Sequence, residues 1–176
     1  MKPTQFGDRK TKLPKSVRPD EWHKLIKVIP KKDRTAIIGF LLAYGAGMRI
    51  SEVIRCKPEH FRNSKPPSIF IPESKYGVER VVPVPKGFRK EFLKELPLKK
   101  SKRTLQRKFK KYAKYAGLNP KYTFHSLRHG FATRALESGI PLNQIQIALG
   151  HADIKTTGIY LKASPDDLLR SYEEKW

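Results

Sequence analysis

Apolar residues recur at helical spacing over most of this chain and at alternating spacing in one short region. The first helical stretch starts near Pro19, with Asp20 and Glu21 suited to the positive end of the helix dipole. Trp22, Leu25, Ile26 and Ile29 form its apolar face, and Pro30 closes it. Asp33 is placed to cap the next helix, which runs through TAIIGFLLAYGAG (Thr35 to Gly47) and ends in glycines. That run predicts a buried helix, because it falls short of the roughly 18 apolar residues that span a bilayer.

A short helix is predicted from about Arg49, RISEVIRC, ahead of Pro58. SIFIP and VERVVPVP are then β-rich runs around ESKYG, the pattern of a hairpin and its tip. Pro83 and Pro85 put the second strand at a sheet edge, or end it there. From Lys86 onward the pattern is helical again, with segments near 87–95, 101–116, 125–138, 142–149, 154–162 and 165–174. Pro97, Gly117, Gly139, Pro141 and Gly150 separate them. The predicted fold class is mainly α with a small antiparallel β insertion. Residues 1–16 are polar, basic and proline-containing and read as a flexible arm or linker stub. Residues 17–176 then form one domain, a length that supports a single core.

Charge changes the picture most. The chain carries 38 Lys and Arg against 16 Asp and Glu, a net charge of +22. A lysine-rich thermophilic surface would carry matching acid, and the acid is missing. A polyanion is the natural partner, nucleic acid ahead of a membrane surface. One cysteine, Cys56, excludes an intramolecular disulfide and a multi-thiolate zinc cluster, and reads as a small core residue. MKPTQFGDRK has no apolar stretch of the secretory kind, so the expected location is cytoplasmic.

Several stretches carry candidate chemistry. In SKRTLQRKFKKYAKYAG, Leu105, Phe109, Tyr112, Ala113 and Ala116 share one face. Lys102, Arg103, Arg107, Lys108 and Lys111 lie on the rest, with no acid interleaved, and are candidates for phosphate contact. In FHSLRHGFATRALESGI, His125 and Arg128 fall one turn apart near a helix start, where an anion is favoured. Leu127, Phe131, Ala135 and Leu136 are expected on the opposite, buried side. GAGMRISE places Arg49 at another helix start, with Glu52 one turn on to orient an arginine or histidine. Taken alone, the His125–Arg128 pair and Arg49 also fit ordinary surface residues. GHADIKTTGIY adds His151 and Tyr160, which alone fits a packing aromatic as well as a nucleophile.

Together these pieces resemble the catalytic domain of the tyrosine recombinase and integrase family, from about Pro14 to the C-terminus. HSLRHGFATRALESGIPLNQIQIALGHADIKTTGIY matches the family's HxxR, LGH and terminal Tyr in one ungapped run. The resemblance implies a catalytic set of Arg49, Lys75, His125, Arg128, His151 and Tyr160, with Glu52 in support. Lys75 corresponds to the lysine on the hairpin tip. The implied partner is double-stranded DNA, with self-association into a tetramer on paired sites. Fixed guanidinium groups stand in for a metal, so no metal or cofactor is implied. The family's N-terminal DNA-clamping domain does not fit into the first 16 residues. The tail SPDDLLRSYEEKW reads as an amphipathic helix, docked on a neighbouring protomer or packed on its own domain. Two rivals share part of this pattern. A type IB topoisomerase would relax supercoils with a similar residue set, and a DNA-binding module would keep the fold but lack turnover. A third rival, a ribosomal or chromatin-type RNA or DNA binder, is allowed by the charge alone and would not need Tyr160.

Overall fold

The computed structural model describes residues 15–72, 78–150 and 165–175. Helix α1 spans Pro19–Lys27, α2 Arg34–Gly45 and α3 Ile50–Arg55. A three-stranded antiparallel sheet follows, with β1 at Phe61–Arg62, β2 at Ser68–Ile71 and β3 at Arg80–Pro83. Helices α4 (Lys102–Tyr115), α5 (His125–Glu137), α6 (Leu142–Leu149) and α7 (Pro165–Lys175) follow among the described residues.

Helix α2 is the hub. It is apolar on every side, and Ile38, Phe40, Leu42 and Ala43 are fully buried. It packs on α3, α4 and α5 at once, which is the environment such a helix requires. The Phe40 ring meets Phe109, Tyr112 and Phe124 edge-on, at centroid distances of 5.7, 6.5 and 5.9 Å. Removing a ring at this position costs about 3–5 kcal/mol. Asp33 caps α2 as the sequence predicts, its Oδ1 accepting the Ala36 N–H at 3.2 Å. Its Oδ2 accepts the Tyr112 hydroxyl at 2.7 Å and also the Lys108 ammonium, so one cap ties α2 to α4.

The predicted apolar face of α4 is the observed one, with Leu105, Phe109, Tyr112 and Ala113 buried. Cys56 is a buried core residue. Two details differ from the pattern. Strand β1 has two residues, too few to show a period, and is fixed by pairing Phe61 with Ile69 and Arg62 with Ser68. The stretch near 87–95 is a 3-10 turn at Lys90–Glu95, six residues long, with Phe92 buried in the core and Leu93 packed against it. The predicted segment at 154–162 lies outside the described residues. Strand order β1-β2-β3 leaves β3 at the edge, where Pro83 is tolerated. Helix α7 packs on its own domain in this structure. Its Leu169 and Tyr172 are buried, the Tyr172 ring stacks on Phe131 at 5.5 Å, and Lys175 donates to the Gly139 carbonyl.

Candidate active site

The turn from α2 into α3 starts the site. Gly47 has φ of +64°, and a Cβ there would lie 2.7 Å from the Phe131 ring, so only glycine fits. This turn places Arg49 at the N-cap of α3. Glu52, one turn on, accepts the Arg49 backbone N–H on Oε2 at 2.6 Å. An acid at this helical position reaching back to the N-cap amide is half of a capping box.

Glu52 is then used three more times. Its Oε1 accepts from Arg49 Nη1 at 3.0 Å and from Arg80 Nη1 at 3.0 Å. Its Oε2 accepts from Arg80 Nη2 at 2.8 Å. The Arg80 pair is bidentate, the strongest arrangement open to these groups. All four acceptor positions of the carboxylate are thus taken. The Glu52 side chain is only 3% exposed. Burial raises its pKa, but the bonds and charges of Arg80 and Arg49 outweigh that and hold it below the usual carboxylate range.

Arg128 enters from α5, with its side chain 5% exposed. Its Nη1 donates to the Gly47 carbonyl at 2.8 Å and its Nη2 to the Leu149 carbonyl at 2.6 Å. The end of α6 meets all three arginines. Arg80 Nε donates to the Ala148 carbonyl at 2.6 Å, Arg128 to Leu149, and Arg49 Nη2 to Gly150 at 2.7 Å. Gly150 has φ of +60°, and this left-handed cap turns the last carbonyls outward. Three cations thus sit on the negative end of a helix dipole.

One carboxylate among three arginines leaves a surplus of two positive charges. Burial and the nearby Arg49 and Arg80 charges push the Arg128 pKa down to about 9, with Glu52 offsetting part of this. Arg128 is still protonated at neutral pH, but its charge is crowded. A bound anion relieves that crowding. Beside these arginines opens a cleft of about 540 Å³, lined by Arg49, His125, Arg128 and His129 on one side and by Leu136, Leu142, Ile145 and Leu149 on the other. His125 is exposed there and meets His129 edge-on at 4.5 Å. Burial, then the Arg128 charge, lowers the pKa of His129.

The profile described as "Phage integrase family" matches residues 15–166. The chain belongs to this family. It is 36% identical to tyrosine recombinase XerA of Pyrococcus furiosus, over 92% of this chain and 62% of that protein. It is 35% identical to XerA of Thermococcus onnurineus, over 92% and 63%. The chain therefore spans less than two thirds of these relatives. Among solved structures, a XerA recombinase superposes with a TM-score of 0.63 at 25% identity, over 96% of this chain and 65% of that one. The lambda integrase catalytic core gives a TM-score of 0.62 at 22% identity, over 78% and 91%. A lambda integrase bound to DNA gives 0.63 at 22%, over 94% and 65%.

Four of the residues marked from the sequence of this integrase-family chain, Arg49, Glu52, His125 and Arg128, converge in the structure. Lys75, His151 and Tyr160 lie outside the described residues. One expectation needs correction. Leu136 is 56% exposed and lines the cleft, facing Leu142 and Ile145 of α6, rather than the buried side of α5. Lys108 is drawn inward to Asp33, whereas Lys102, Arg103, Arg107 and Lys111 are exposed. Tyr172, the one tyrosine after Tyr160, is buried, and burial raises its pKa far above the phenol range, so it is no nucleophile. Arg80 was missed. Its signal was an arginine on the same inward strand face as Val82.

Proposed function

We propose that this chain is the catalytic domain of a site-specific DNA recombinase. It cleaves and rejoins double-stranded DNA through a 3′-phosphotyrosyl intermediate at Tyr160. The observation that carries this reading is the charge-crowded cluster of Arg49, Arg128 and Glu52, opening beside His125 into a cleft. Family membership and a structural neighbour bound to DNA support it.

The chemistry follows from the parts. A phenol has a pKa of about 10, so ionising it at neutral pH costs on the order of 4 kcal/mol. Arg49 and Arg128, held in advance on carbonyls, stabilise the five-coordinate phosphorus and lower that cost. The Tyr160 oxygen attacks phosphorus as the bond to the 5′ oxygen breaks. His125 takes the phenol proton, Lys75 protonates the departing 5′ oxygen, and His151 donates a hydrogen bond to the phosphate. The ester energy stays in the phosphotyrosine, and a 5′-hydroxyl from another strand reverses the step without ATP. The exposed Lys102, Arg103, Arg107 and Lys111 hold flanking phosphates. Lys108, paired with Asp33, is the weaker candidate of that set. Assembly is by self-association on paired sites as a tetramer, and location is on the nucleoid. No helix among the described residues is long and apolar enough to cross a membrane.

The test is covalent trapping on nicked suicide duplexes in chelator, with Tyr160→Phe alongside. An adduct in wild type that is lost in the variant is expected. Supercoil relaxation without strand exchange would favour a topoisomerase instead. DNA binding with no adduct on any duplex would favour a binding module.

A further inference from the structure

Arg80 is the most deeply buried cation of the site, its side chain only 1% exposed. A group so enclosed does not touch DNA. It nevertheless makes two bonds to Glu52 and one to the Ala148 carbonyl. Every donor direction it uses thus leads to a group that also fixes, or lies beside, a bond of Arg49 or Arg128. Glu52 holds Arg49 from the other side. Ala148 directly precedes Leu149 and Gly150, whose carbonyls hold Arg128 and Arg49. Gly150 is packed on the same guanidinium: a Cβ there would lie 2.8 Å from Arg80 Nη1. Arginine at this position is costly, since a buried cation must recover its desolvation through full pairing. A well-packed apolar pair in place of Arg80 and Glu52 would give the fold alone as much stability.

We propose that Arg80 is a positioning residue for strand cleavage. It neutralises Glu52 and pins the end of α6, so that Arg49 and Arg128 meet the phosphate fixed in place and without losing their charge to the carboxylate. Without Arg80, Glu52 has Arg49 as its remaining bonded cation. The surplus at the cleft falls from two positive charges to one. Arg49 is then drawn towards Glu52 and away from the incoming anion. Lysine cannot substitute fully, because a point charge cannot make the bidentate fork and reach Ala148 at once.

This role rests on the recombinase reading above, so the experiment has one arm that depends on cleavage and one that does not. The first compares single-turnover cleavage of a nicked duplex, at saturating DNA, in wild type, Arg80→Gln and Arg80→Lys. The double variant Glu52→Gln with Arg80→Gln is included because it removes the unpaired buried charge and keeps the fold if Arg80→Gln alone does not. The second follows the Arg49 and Arg128 Nε–H resonances of the same proteins with added inorganic phosphate. We expect Arg80→Gln to cleave about 100-fold more slowly, the loss typical of a misplaced catalytic group. The double variant, which keeps the surplus of two charges but loses the bond to Ala148, should be slowed less, while DNA affinity stays near wild type in both. Arg80→Lys should recover part of the rate. The two resonances should broaden and lose their response to phosphate in the glutamine variants. A folded double variant that cleaves at the wild-type rate overturns the proposal. So do resonances that keep their wild-type response, whatever happens to cleavage. A wild-type protein that forms no adduct, while its resonances still depend on Arg80, overturns the recombinase reading and leaves the positioning of the two arginines standing.

Discussion

Two basic regions of this protein use the same residue types in opposite ways. Around Glu52, three arginines are buried or half-buried and each donates to a carbonyl at the end of α6, with Arg49 and Arg80 also bonded to Glu52. On α4, Lys102, Arg103 and Arg107 stand in solvent on the face away from Leu105 and Phe109. Burial makes the first region rigid and its charge strong, because little water screens it. Exposure leaves the second mobile and screened within about a Debye length, roughly 8–10 Å in ordinary salt. The first is suited to holding one phosphate in one geometry, the second to adding affinity along a duplex.

Substitutions should separate the two regions sharply. Arg128→Ala should slow cleavage of a suicide duplex by about 10²–10³-fold at saturating DNA, the scale seen when one preorganised donor to a transition state is lost. Glu52→Ala should act first on the fold, since it leaves Arg80 buried without its counter-ion. Urea unfolding should show a loss of about 3–5 kcal/mol. The joint change of Lys102, Arg103 and Arg107 to alanine should leave the cleavage rate at saturation unchanged. It should instead weaken binding and flatten the salt dependence of affinity by about 0.9 for each phosphate contact removed. Flattening without a rate change sharpens the comparison, and a rate change at saturation breaks it.

A smaller effect appears with pH. The folded-state pKa of Glu52 lies below its unfolded value, 4.5 on the reference scale. Its contribution to stability is therefore complete above that value and disappears as pH falls through the lower folded one. Glu52→Gln should remove this part of the acid limb of the stability curve, and the α4 substitutions should not. Smallest of all, Leu136→Ser should change stability by no more than about 0.5 kcal/mol, because the side chain is exposed.

The sequence made the first region legible only in part. Arg49, Glu52, His125 and Arg128 stand in patterns that resemblance picks out, and the structure brings them together. Arg80 carries no such pattern. It is a charged residue at an inward strand position, and its meaning depends on Glu52 lying 28 residues earlier and Ala148 lying 68 later. Long-range pairing of this kind leaves no local period. Lys108 shows the opposite case. It belongs to an unbroken run of cations, yet Asp33 on α2 takes it out of that run. Among the elements, α2, α4 and α5 were readable because length and an apolar pattern both mark them. Strand β1 was not, since two residues hold no alternation. The placement of α7 also needed the structure, because its apolar face is compatible with either its own domain or a second copy.

The most direct measurement is to digest the trapped protein–DNA adduct and locate the attached nucleotide by peptide mass spectrometry. The account predicts a single modified peptide, with the 3′ phosphate of the cleaved strand on Tyr160. Attachment to another side chain, such as the exposed Tyr115 on α4, or through a 5′ phosphate, would contradict it.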